Sequence, residues 1–170
     1  MKTYVVTLLM LLMSVGTFAQ SSDDAAFDNY YSGWSHLCGA NTPQDFNKAI
    51  ECFSMVANTN SIWAAPAMTE LGYCYFNGLG VPQNRQKAVE YFLKAAPKGE
   101  EFAQLYLSYF YREGLYVKKD IRLANYWAEQ CSEYFPPEKY ARYIKELLNP
   151  NVRFGNVKQQ IDDALNLFGY

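Results

Sequence analysis

The side chains best suited to chemistry in this chain are few, and their spacing argues against most of it. His36 is the single histidine, and Cys38 is the nearest thiol to it. A base and a thiol two residues apart in a helix point to different faces, so the pair does not assemble a nucleophilic centre. The adjacent carboxylates Glu100-Glu101 and Asp162-Asp163 fail as general acid/base pairs for the same reason. Gly78-Leu79-Gly80 has the look of a phosphate loop, but no strand precedes it and no Gly-Lys-Ser/Thr follows. Cys38, Cys52, Cys74 and Cys131 are four thiols without the C-x₂-C or H-x₃₋₅-H clusters of a zinc site. Two readings of them stay open, buried packing groups or one disulfide among the three possible pairings. No catalytic residue, metal or cofactor is expected.

Composition narrows the class further. Half the residues are hydrophobic, 17% are aromatic, and the formal net charge is −2. That balance is globular rather than disordered. No basic stripe supplies the electrostatic term for nucleic acid or an anionic membrane, so neither is an expected partner. Residues 1–19 carry Lys2, an apolar run from Tyr4 to Met13, then Ser14, Gly16, Thr17 and Ala19. That order reads as a secretory signal peptide cut after Ala19, and the run is shorter than the roughly 20 residues of a membrane span. No cysteine near the cut suggests a lipid anchor. The expected protein is therefore secreted or periplasmic, with no membrane insertion after cleavage, a short mobile tail at 20–24 and one domain over 25–170.

What must position the side chains is a repeat. Ala67, Leu71, Tyr73, Tyr75, Gly78, Leu79, Val81 and Ala88 return 36 residues later as Ala103, Leu107, Tyr109, Tyr111, Gly114, Leu115, Val117 and Ala124. Asn84 returns as Asp120 and Tyr91 as Trp127. A period in the mid-thirties with two helical patterns per unit is the mark of an α-solenoid, whose units bury their apolar faces only by stacking. Helix A of the best copy is expected over about 65–77, with Gly72 inside it where two helices approach closely. Gly78 suits a left-handed helix end, Pro82 bars continuation, and Asn84 caps helix B, whose inner face carries Ala88, Tyr91, Phe92, Ala95 and Ala96. The next copy has Ser108 for Gly72 and Tyr116 for Gly80, so its loop must fold differently or carry strain if Gly80 needs positive φ. Its helix B is expected to reach about Glu133. An earlier, degenerate copy aligns Gly33, Gly39, Pro43 and Lys48-Ala49 at an offset of 39. The units are thus about 28–58, 64–98 and 100–134, with capping helices across 138–170, the first at 138–148 and the second at 157–168.

The strings LGYCYFNGLGV and QKAVEYFLKAA closely resemble the Sel-one-like repeat, a relative of the tetratricopeptide repeat. The family pattern is met by Ala67, Leu71-Gly72, Tyr75, Gly78-x-Gly80-Val81, Lys87-Ala88, Tyr91 and Lys94-Ala95-Ala96, with Asn84 in the Asp place. The resemblance covers about 29–132 and implies an all-α, right-handed solenoid of antiparallel helix pairs, about four pairs and eight helices. It also implies a non-catalytic protein-interaction scaffold. The cysteine staple of one branch of the family is not carried over, because Lys139 stands at its second position.

In such units the residue after Leu-Gly faces the concave groove. That register selects Trp34, Tyr73 and Tyr109, preceded one turn earlier by Thr69 and Leu105 and followed by Leu37, Phe76 and Arg112 with Asn77 and Glu113. An aromatic row ending in a charged pair suits peptide binding. The expected function is an exported adaptor that holds a protein or peptide in this groove. The alternatives are an assembly factor that self-associates through its terminal helices and, more remotely, an envelope hydrolase.

Overall fold

The computed structural model describes residues 22–40 and 42–149. The expected signal peptide and the last capping helix (157–168) lie outside them. Among the described residues the secondary structure is helical throughout. Helix α1 covers residues 22–38. It is followed by α2 (Phe46–Ala57), α3 (Ala64–Asn77), α4 (Arg85–Ala95), α5 (Glu101–Glu113), α6 (Ile121–Gln130) and α7 (Tyr140–Leu147). Short 3₁₀ turns at Ala96–Lys98 and Pro137–Lys139 lead into α5 and α7. Helices α1/α2, α3/α4 and α5/α6 are the A/B pairs of three units; from α1 to α6 each helix packs on the next along the chain, and α7 packs back on α5.

Each unit starts and stops for the same local reasons. Asp45, Asn84 and Asp120 cap helix B by accepting from backbone N–H groups of its first turn. Gly39, Gly78 and Gly114 end helix A in the left-handed region at φ 73°, 73° and 72°. There the amides of each glycine and the following residue both bond back to one carbonyl, that of Ser35, Cys74 or Phe110. These six residues repeat one helix–loop–helix joint three times.

The core lies between the helices in two connected layers. Leu37, Phe53, Val56 and Leu71 join α1 to α3, and Tyr73, Phe92, Tyr106, Phe110 and Ile144 join α3 to α7. Gly72 is required by close approach: a Cβ there would meet the Phe92 ring at 2.7 Å. The motif residues Ala67, Leu71, Ala88, Ala95, Ala103 and Ala124 are all buried. Cys38, Cys74 and Cys131 are buried between the helices and Cys52 is half-buried.

Two boundaries differ from expectation. Residues 22–24, read as tail, belong to α1. Helix α6 ends at Gln130, short of Glu133. Pro136 and Pro137 supply no backbone N–H and disfavour helical backbone before them. The chain instead turns on the Cys131 carbonyl, which accepts from Tyr134 and Phe135.

Candidate protein-binding surface

Between helices A and B of the second unit, Tyr75 and Tyr91 stack at 5.7 Å. Lys87 closes this layer, donating to the Tyr75 hydroxyl at 2.8 Å with its ammonium 4.2 Å from the Tyr75 ring centroid. Trp127 and Tyr111 likewise pack, half-buried, on the core of the third unit. These motif aromatics are spacers between layers. His36 is half-buried at the equivalent place in the first unit, and Cys38 donates to the Trp34 carbonyl.

The expected concave row is divided by the fold. Tyr73 is 0% exposed and Phe76 8%, and Leu37, Thr69 and Leu105 are also buried. These five cannot be a partner surface in this packing. The reason is that the next unit closes over them: Phe76 stacks on Phe110 at 5.6 Å and contacts Tyr106 at the same distance. Arg112 is half-buried and used within the fold, its guanidinium over the Tyr140 ring at 5.2 Å and bonded to Asn125. Trp34, Asn77 and Tyr109 remain half-exposed, and Glu113 is exposed.

Asn77 and Tyr109 meet at a cavity of about 280 Å³ on the loop edge between the second and third units. Residues that the concave register did not select complete it: Gln83, Arg85, Leu115, Tyr116 and Leu148. Tyr116 has φ 60°, the one left-handed non-glycine among the described residues. Its ring takes the edge of Phe76 and Phe110 at 6.1 and 5.4 Å. The Arg85 guanidinium lies 5.4 Å from the Tyr116 centroid and 5.7 Å from that of Phe76. Gln86 fixes the loop by donating to the Tyr116 carbonyl at 3.2 Å. The signal in the sequence was the tyrosine in a glycine place. Strain of this kind gathers where a side chain is held for a purpose.

A second polar group joins the same two units. Thr69 and Glu100 approach at 3.5 Å beside buried Glu70. Burial, with the charges of Glu101 and Glu70, pushes the Glu100 carboxyl up to about 7. Spacing along the chain did not bring these two acids together, because the contact crosses between units.

The repeat has counterparts in known proteins. A family model described as the Sel1 repeat matches residues 28–58, 65–99 and 102–132, more than half of the chain. The crystal structure of c5321, a protective antigen present in uropathogenic Escherichia coli strains and displaying an SLR fold, is similar at 32% identity and a TM-score of 0.58. The similarity covers 68% of this chain and 24% of that one, so the chain spans about a quarter of the antigen's length. The crystal structure of a Sel1 repeat protein from Oxalobacter formigenes is similar at 27% identity and a TM-score of 0.58, covering 79% of this chain and 96% of that one. None of the curated proteins compared with the chain matches it.

Proposed function

The chain belongs to the Sel1 repeat family, and we propose that it is an exported, non-catalytic adaptor that holds a partner protein at the joint between its second and third units. Sel1 repeat proteins are typically protein-interaction scaffolds. The observation that carries the reading is the half-exposed Tyr109 beside Asn77 at the 280 Å³ cavity, where rigid aromatic surface stays open after the solenoid has packed. Export rests on Lys2, the apolar run and Ala19 in residues 1–19. Mass spectrometry of the protein recovered outside the cytoplasm should give a chain beginning at Gln20; an intact Met1 start contradicts export by this route.

One observation favours self-association as a second reading. Phe27 and Tyr31 on α1 are 43% and 48% exposed. They stand at the repeat positions of Phe102 and Tyr106, and Tyr106 stacks on Phe92 of the preceding helix B at 4.3 Å. Photo-crosslinking separates the readings, with Tyr109, Tyr31 or Met55 each replaced by a photo-reactive phenylalanine. The adaptor predicts adducts to another protein from position 109 and none from 55. Adducts confined to position 31, and to a second copy of this chain, would replace it with the self-association reading.

A further inference from the structure

A furrow of about 820 Å³ lies between α4 and α6, the B helices of the second and third units. Val89 and Leu93 stand on one side, Leu123 on the other, with Tyr111 and Val117 between them. Leu93 and Leu123 are each 40% exposed. Lys118 and Lys119 form a basic lip, and among the described residues neither makes an ion pair. Of the two acids that line the furrow, Asp120 is committed to capping α6 and Glu90 belongs to α4. The preceding joint differs at the same repeat places. There Ser54 stands for Leu93, Lys87 for Leu123 and Pro82-Gln83 for Lys118-Lys119. Apolar sides under a basic lip are therefore particular to the second joint, and the repeat itself does not call for them.

We infer that residues 157–168 of this same chain fill the furrow as an amphipathic helix. Val157, Ile161, Ala164, Leu165 and Phe168 recur at the spacing of one helical stripe, which suits the apolar sides. Asp162 and Asp163 bring the charge that the lysine lip lacks, and Lys158 offers a cation to Glu90. The route is short. Leu148 shares the smaller cavity with Tyr116, and Tyr116 also lines the furrow. Residues 149–156 between that point and the segment span about 26 Å when extended. Pro150 stands 36 residues after Gly114, the glycine that ends α5 in the left-handed region. A proline has neither that φ nor an amide to donate, so the turn that lays each helix B on its own helix A is not available after α7. The tether then gives this segment an effective concentration in the millimolar range, which favours it over a free chain or a second copy.

The test places a photo-reactive phenylalanine at Leu93 of the full chain and, separately, at its counterpart Ser54. Irradiation of dilute protein, followed by mass spectrometry, should join position 93 to residues 157–168 of the same molecule. Position 54 should give at least tenfold less of that adduct. Lys118→Glu with Lys119→Glu should cut the adduct from position 93 at least tenfold. Adding Asp162→Lys and Asp163→Lys to that chain should restore it. Both lysines are exposed, so their charge can be reversed without disturbing the core. A mixture of ¹⁴N- and ¹⁵N-labelled protein identifies the donor of the segment, and adducts of mixed isotope would overturn docking within one chain. Equal adducts from positions 54 and 93 overturn the choice of furrow, as do adducts from position 93 to another protein, to another part of the chain or to nothing. An adduct that charge reversal leaves unchanged, or that the second pair of substitutions fails to restore, overturns the pairing of aspartates with the lysine lip.

Discussion

The joint between the first and second units and the joint between the second and third are built on one plan and finished differently. In the first, Gly80 sits at φ 69° with so little room that a Cβ would come within 2.8 Å of the Phe46 backbone. In the second, Tyr116 keeps nearly the same backbone, at φ 60°, and sends a ring toward Arg85, which stands in the repeat where Phe46 does. The glycine closes its joint and the tyrosine holds its joint open. Conformation is conserved between the two copies while the space above the loop is not. One joint is sealed structure, and the other carries the cavity.

Breaking the sealed joint should have the larger effect. Gly80→Ala combines a left-handed alanine with a clash against backbone that has nowhere to move, and should cost about 3 kcal/mol in urea unfolding. An unchanged midpoint would mean that the loop does not seat on α2.

The open joint predicts a reversal of the usual rule. At an ordinary position alanine is more stabilising than glycine, by about 0.4–1 kcal/mol. At Tyr116 the order should invert, with Tyr116→Gly more stable than Tyr116→Ala by about 1 kcal/mol, because only glycine relieves the positive φ. Alanine the more stable of the two would place Tyr116 outside the left-handed region.

The two joints should also differ in their response to pH. Glu100 at the second joint has Ala64 as its counterpart at the first. Since the folded protein raises this carboxyl from 4.5 to about 7, its protonated form is favoured on folding. Stability is then greatest below about pH 4.5 as far as this group is concerned, and falls as pH rises through 7. Glu100→Gln should flatten that part of the pH profile. A parent profile that rises across the same window, unflattened by the substitution, would contradict the assignment.

What the sequence made legible follows from how local each feature is. Gly78, Pro82 and Asn84 act within a few residues of themselves, so their spacing places the helix ends, and the same logic places Gly72 at a close approach. Asp45 could have been read as the first unit's cap from its alignment with Asn84. Tyr73 and Tyr109 show where such reading stops. They share a register and helix type, yet Tyr73 is fully buried and Tyr109 half-buried. The difference is made by what stacks next, α5 with its Tyr106 and Phe110 in one case and the eight-residue α7 in the other. The pairing of Glu100 with Thr69 was hidden for the same reason, as was Arg85 under Tyr116. All are contacts between units, and a repeat pattern describes the inside of a unit.

The most direct test of this division is to truncate the two tyrosines separately and measure unfolding. Tyr73→Ala should lose about 3–5 kcal/mol, the cost of emptying a buried aromatic site. Tyr109→Ala should lose about 1–2 kcal/mol, because part of its ring is already in water. It should nonetheless abolish co-purification of the partner protein that the crosslink from position 109 identifies. A Tyr73→Ala variant as stable as the parent would return Tyr73 to the groove and contradict the account.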